Sequence, residues 1–146
     1  MLNIAICDDD IQTTGRMDML LQEIAKRNFM DVEIEVFWNG ESLADAVAQG
    51  TYFDMIYLDI EMDKEDGISA AKRIRTYDKN ALIIYVTSHE NHMQESFEVR
   101  PFRFIRKNHF LEELAPLTRD LIYEMTRNEE KAITIEEEKS VLLRVR

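Results

Sequence analysis

Cysteine is almost absent from this sequence: Cys7 is the single example in 146 residues. A lone thiol cannot close an internal disulfide, and because Cys7 lies in an apolar run it reads as a buried side chain. His92 and His109 show no ligand spacing with Cys7 or with each other, so no zinc site is expected. Also missing is any apolar run near the ~20 residues that cross a bilayer, so no membrane partner is expected. The opening stretch MLNIAICDDD lacks the basic flank, apolar segment and cleavage site of a signal peptide, and the expected location is cytoplasmic. Positive charge is in short supply as well. Lys and Arg number 18 against 29 Asp and Glu, a net charge of −11. A segment with that balance does not grip nucleic acid by itself, because phosphate binding needs clustered bases. The acidity alone means only a well-solvated surface.

What remains is an ordinary globular composition, 45% hydrophobic and 32% charged, in a chain long enough for one core. Short apolar runs alternate with longer amphipathic stretches. Leu2 to Cys7 reads as a strand that stops at Asp8, Asp9 and Asp10. From Ile11 to Asn28, Met17, Leu20, Leu21 and Ile24 recur at helical spacing. Val32, Ile34 and Val36 alternate with Glu33 and Glu35 in a second strand, and Asn39-Gly40 reads as a turn. Ser42 to Ala48 fits a short helix, and Phe53 to Ile60 a third strand. A loop carrying Asp63, Lys64, Glu65, Asp66 and Gly67 follows, and then a helical face of Ile68, Ala71 and Ile74.

The run Ala81 to Val86 is nearly all apolar, as a central strand covered on both faces requires. A short helix is expected near His92 to Phe97. Phe102 to Arg106, with its arginines and Pro101 just before it, reads as an edge strand. Phe110, Leu114, Leu117, Leu121 and Met125 mark a final helix, in which Pro116 is tolerable only near the start. Strands alternating with helices in this way specify an α/β domain with a mainly parallel sheet and helices on both faces. In such sheets the site lies at the carboxyl ends of the strands, beside the point where strand order reverses.

Reactive residues fall at those ends. The first strand stops at the aspartates, the third at Asp59, the fourth at Thr87 and Ser88, and the fifth at Lys107. The chemistry that uses this set is phosphoryl transfer to a carboxylate. Three carboxylates close together repel unless a cation sits among them, and Mg2+ suits the role because it takes oxygen ligands and keeps several waters. Asp59 is then the nucleophile, Lys107 a second cation against the phosphoryl oxygens, and Thr87 a hydroxyl donor to one of them.

With these residues in place, residues 1 to about 127 resemble a response-regulator receiver domain of the CheY-like kind. The resemblance implies a flavodoxin-like, doubly wound sheet of five parallel strands in the order 2-1-3-4-5. It makes Asp8 and Asp9 the acidic pair that holds Mg2+ together with the phosphoacceptor Asp59, and it has Glu61 offer its backbone carbonyl to the metal. Thr87 and Lys107 match the family's hydroxyl and lysine, and Phe104 its aromatic switch position. A sensor histidine kinase is the implied phosphoryl source. The response is a change in the face formed by the fourth helix, fifth strand and fifth helix, around Phe97 to Lys107, that promotes homodimers. Two positions depart from the family pattern. Lys107 is followed by Asn108 where a proline with a cis bond is common, and a cis bond before a non-proline costs roughly 3 kcal/mol, leaving a trans bond or a strained one. Asp63 stands where the loop after the acceptor usually has proline.

Plainer readings stand beside these. Asp10 is expected to cap the first helix rather than bind metal. Phe102 and Phe104 include at least one ordinary packing residue. Ser88 can simply satisfy loop backbone groups, and His89 is either a surface residue or a control on water access. After Asn128 the character changes: Lys131 to Ile135 and Val141 to Val145 read as strands around the polar turn 136–139. A lone hairpin is marginal in water. Residues 128–146 therefore read as a linker and the first β-hairpin of an output domain that is cut off. That hairpin resembles the opening of LytTR-type DNA-binding domains, through which alone DNA would be reached; the alternative is a strand added to a sheet edge or another chain. Two other functions compete. One is a receiver-like scaffold that binds partners without phosphorylation. The other is a haloacid dehalogenase-type phosphohydrolase with Asp8 as nucleophile. The second is disfavoured by Gln12, by the lack of an acidic pair after the Thr87 strand, and by the lack of a cap domain. The expected activity is self-catalysed phosphorylation and dephosphorylation rather than turnover of a substrate.

Overall fold

Runs rich in Ile, Val and Leu extend because β-branched side chains pack well on a pleated surface, and here they assemble side by side. A computed structural model describes residues 1–62, 66–88 and 100–110, together with 112–114, 116, 117, 119–121, 123 and 124. The chain divides into two compact units, Met1–Phe110 and Leu111–Arg146. In the first, β1 (Leu2–Cys7), α1 (Ile11–Arg27), β2 (Val32–Phe37), α2 (Gly40–Ala48), β3 (Met55–Asp59), α3 (Gly67–Tyr77), β4 (Leu82–Thr87) and β5 (Arg103–Arg106) follow in order. All adjacent strands are parallel, and the sheet order is β2-β1-β3-β4-β5, as expected.

Burial follows that order. β3 is buried along its whole length and β4 at all but its first residue, whereas edge strand β2 alternates half-buried Val32, Ile34 and Val36 with exposed Glu33 and Glu35. At the other edge, β5 exposes Arg103 and Arg106, which discourage further strand pairing. One face of the sheet gathers Ala5, Ile56, Leu58, Ile83 and Tyr85 with Leu43 and Val47 of α2 and Ile68, Ala71 and Ile74 of α3. On the opposite side α1 contacts β1 and β2, with Met17, Leu21 and Ala25 buried.

Element ends differ from the sequence expectation where side chains compete for backbone groups. Asn39-Gly40 is a helix start rather than a turn between elements: the Asn39 side chain accepts from the Ser42 amide at 2.8 Å, so α2 begins at Gly40. The third strand starts at Met55, not Phe53. Just before it, the Asp54 side chain accepts the Asn3 amide at 2.8 Å, and Phe53 serves the core edge-on against Phe37. No cis peptide occurs among the described residues, so Lys107-Asn108 is trans and opens a short 3-10 turn, Lys107–His109. In the second unit the described residues are helical, with Leu114, Leu117 and Leu121 buried at the anticipated spacing. The helix expected at 92–97, His89 and the tail 128–146 lie outside the described residues.

Asp10 caps α1. Its carboxylate accepts from the Gln12 amide at 3.1 Å and from the Thr13 hydroxyl at 2.8 Å, which holds it below the usual carboxylate range. Asp10→Ala is expected to lower the melting temperature by a few degrees while leaving Mg2+ affinity at the wild-type value. A loss of Mg2+ affinity in a calorimetric titration would instead make Asp10 a ligand.

Candidate functional site

Strand register builds the site. Cys7 pairs with Leu58, so Asp8 and Asp59 come level one residue further on. Asp59 pairs with Val86 and Thr87 with Arg106, which brings Thr87 and Lys107 to the same end of the sheet. The order reverses between β1 and β3, and a reversal leaves a crevice because the connections leave toward opposite faces. The topology therefore brings the residues expected from strand tips to one end of the sheet.

Asp8 is 1% exposed and Asp59 4% exposed, so neither carboxylate is solvated by bulk water. The Asp8 amide donates to the Phe37 carbonyl at 3.1 Å, tying the site to the end of β2, and one Asp8 oxygen accepts from the Asp10 amide at 3.0 Å. The Lys107 ammonium lies 2.9 Å from Asp8 Oδ2 and 3.0 Å from Asp59 Oδ2. The other Asp59 oxygen takes the Glu61 amide at 3.3 Å, a long bond. Asp9 is exposed, yet oxygens of Asp8, Asp9 and Asp59 all lie within 4.8 Å of one another.

Burial, and then the Asp8 carboxylate, push the Asp59 carboxyl up to about 6, against the opposing pull of Lys107 and the Glu61 amide. Burial alone would lower Lys107, but its bonds to Asp8 and Asp59 raise it, so the ammonium stays charged. Lys107 thus pairs with two of the three carboxylates clustered among the described residues. An all-oxygen set of that density, partly buried and still carrying excess negative charge, fits a hard divalent cation such as Mg2+.

Thr87 is buried at the tip of β4. Phe104 is half-buried, and its ring lies 5.2 Å from that of Tyr85 at a 32° tilt. The Glu61 side chain is exposed, and its backbone amide is turned toward Asp59. Sequence reasoning missed Tyr85 and Gly67. Tyr85 stands two residues before Thr87 and so shares its face of the strand, a signal present in the spacing. Gly67 was visible only as part of a polar loop.

Fold and acidic crevice together define an open α/β domain whose chemistry sits at the strand ends. Residues 4–119 match the response regulator receiver domain, and the chain belongs to that family. It is therefore the receiver domain of a two-component response regulator, a signalling module. Among similar proteins, the sensory transduction protein LytR of Staphylococcus epidermidis is 30% identical over 116 residues, 78% of this chain and 46% of that protein. LytR of Staphylococcus haemolyticus is 28% identical over 86% of this chain and 47% of its own length. The chain thus spans about half the length of the curated relatives it matches. Among solved structures, the response regulator TrrA of Thermotoga maritima, in complex with Mg2+ and BeF, is 27% identical with a TM-score of 0.64, covering 83% of this chain and 99% of that one. The N-terminal domain of a response regulator/sensory box/GGDEF protein from Carboxydothermus hydrogenoformans shares the fold at 19% identity, with a TM-score of 0.73 over 86% and 98% of the two chains.

The raised Asp59 value has a definite sign for stability. The folded, metal-free protein holds this proton more tightly than the unfolded chain, so ionising it costs stability. That cost is absent below about pH 4, grows between about pH 4 and 6, and is constant above. Asp59→Asn is accordingly expected to stabilise the metal-free protein at pH 7.5 by roughly 3 kcal/mol, a gain that vanishes toward pH 4. Denaturant titrations at the two pH values read it directly; an equal difference at both would refute the electrostatic account.

Proposed function

We propose that the chain takes a phosphoryl group onto Asp59 from a sensor histidine kinase and changes its partner-binding face in response. One observation carries this reading: Asp59 is buried at the strand-order reversal, with the Lys107 ammonium 3.0 Å away and two further carboxylates clustered around it. The Asp59 carboxylate is the nucleophile. A phosphorus–oxygen bond forms as the phosphorus–nitrogen bond of the donor histidine breaks, and the departing imidazole takes up a proton. Asp8, Asp9 and Asp59 are the groups suited to hold Mg2+, with the Glu61 backbone carbonyl as a further ligand. When bound, the ion supplies positive charge against the phosphoryl oxygens. Lys107 sits between Asp8 and Asp59 and is in place to meet the same oxygens, and the Thr87 hydroxyl donates to one of them.

Thr87 drawn toward the phosphoryl group frees space for Phe104 to turn inward, which alters the face around β5 and favours homodimers. Residues 1–127 form the receiver part in this reading, and 128–146 lead into an output domain of LytTR type through which DNA is reached. The relatives named LytR and LytT, about twice as long as this chain, support that part. A cytoplasmic location belongs to the same reading; among the described residues no helix is long and apolar enough to cross a membrane. Hydrolysis with Asp8 as nucleophile is not favoured, because Asp10, the second residue of its Asp-x-Asp pair, is engaged in capping α1.

Incubation with Mg2+ and acetyl phosphate or phosphoramidate, followed by intact-mass measurement, is expected to add one phosphoryl group. The addition should be lost in Asp59→Asn and in EDTA. Uptake that survives Asp59→Asn would move the acceptor to another aspartate. No uptake from several donors would leave a phosphorylation-independent scaffold.

A further inference from the structure

Gly15 and Gly67 both lie in helices, and their surroundings are opposite. A Cβ built on Gly15 in α1 meets nothing within 4 Å. One built on Gly67, the first residue of α3, falls on the Asp59 carbonyl oxygen and lies 2.8 Å from both the Asp59 carbonyl carbon and the Ile60 Cα. These are main-chain atoms, which cannot swing aside as a side-chain tip does. Gly67 also donates its amide to the Ile60 carbonyl at 2.8 Å, and the Asp66 side chain caps the same turn by accepting from the Ser69 amide at 2.8 Å. The first turn of α3 is therefore seated directly on the backbone that carries Asp59 out of its strand. Helix propensity does not explain a glycine here, since alanine is the better helix former. The close approach does.

We infer that Gly67 is a positioning residue for the acceptor. Its bare Cα lets α3 rest against Asp59 and Ile60, and this seating sets where the Asp59 carboxylate stands relative to Lys107 and where the Glu61 backbone stands relative to Asp59. The inference rests on the phosphoacceptor reading for its consequence, though not for its geometry. A methyl group at 67 forces the main chain at 59–60 to retreat until the 2.8 Å separations reach ordinary contact near 3.4 Å. That movement passes directly to the 3.0 Å bond from Lys107 and the already long 3.3 Å bond from the Glu61 amide. Displacements of this kind can cost on the order of tenfold or more in rate, because the reacting groups leave near-attack geometry.

The test compares Gly67→Ala with Gly15→Ala in the full chain. Phosphoryl uptake from phosphoramidate, Mg2+ binding by calorimetry, and the amide resonances of Asp59, Ile60 and Glu61 are read well below the melting temperature. Gly67→Ala is expected to slow uptake about tenfold or more, weaken Mg2+ binding, and shift all three resonances without Mg2+ present. Gly15→Ala should leave all three readouts at wild type and raise the melting temperature. Wild-type uptake and unshifted resonances in Gly67→Ala would overturn the inference. If Gly67→Ala does not fold, Asp66→Ala loosens the same turn without adding an atom. A shifted Glu61 resonance with slower uptake then supports the positioning role, and a lower melting temperature with neither change overturns it. Absence of uptake in the wild type would defeat the phosphoacceptor reading alone, and the resonances would still decide the role of Gly67.

Discussion

Among the described residues, oxygens of three carboxylates lie within 4.8 Å of one another, the Lys107 ammonium is bonded to two of them, and those two are almost out of reach of water. Buried charge is costly, and mutual repulsion adds to the cost. Left alone, such a cluster would open or take up protons, and Asp59 is already pushed in that direction. Lys107 opposes this by bonding Asp8 and Asp59 together through a single nitrogen. Because that nitrogen comes from β5 while the carboxylates come from β1 and β3, the pairing holds only if β4 spaces the strands correctly. The position of every strand end thus bears on one electrostatic contact.

The core supplies what the site consumes. Ile4, Ile6, Ile56, Leu58, Ile83 and Ile84 are all fully buried, and each such side chain stabilises the fold by roughly 1.5–3 kcal/mol. A parallel sheet covered on both faces is rigid enough to keep like charges together, because its apolar layers cannot shear without opening voids. The same rigidity explains why the helices begin where they do. Asp10, Asn39 and Asp66 each cap the helix that follows a strand, which fixes where α1, α2 and α3 begin.

Much of this arrangement is legible in the sequence, for a physical reason. An apolar run that stops at an acid is unusual unless the acid lies at a strand tip, so Asp8 and Asp59 announce their place, and Thr87 and Lys107 follow from the same rule. One edge of the sheet is readable from the arginines of β5, whereas the edge place of β2 comes with the strand order that the resemblance implies. Other features depend on contacts between distant segments and leave little local trace. Asn39-Gly40 carries the residues of a turn, and only the acceptor role of Asn39 toward Ser42 makes it a helix start. Gly67 could have been any loop glycine, because the atom it must avoid belongs to Asp59.

The aromatic pair at the far side of the site follows a similar logic. Tyr85 and Thr87 share one face of β4, about 7 Å apart along the strand, and Phe104 is the direct neighbour of Tyr85 across the β4–β5 ladder. A Phe104 ring that turns toward Thr87 must therefore leave the Tyr85 ring, giving up a tilted stack worth about 0.5–1.5 kcal/mol. The Tyr85 hydroxyl is buried without a hydrogen-bond partner among the described residues. On the proposed reading, one charge-assisted hydrogen bond formed at Thr87 has to exceed the loss of that stack, and such bonds, at roughly 1.5–3 kcal/mol, are of the required size.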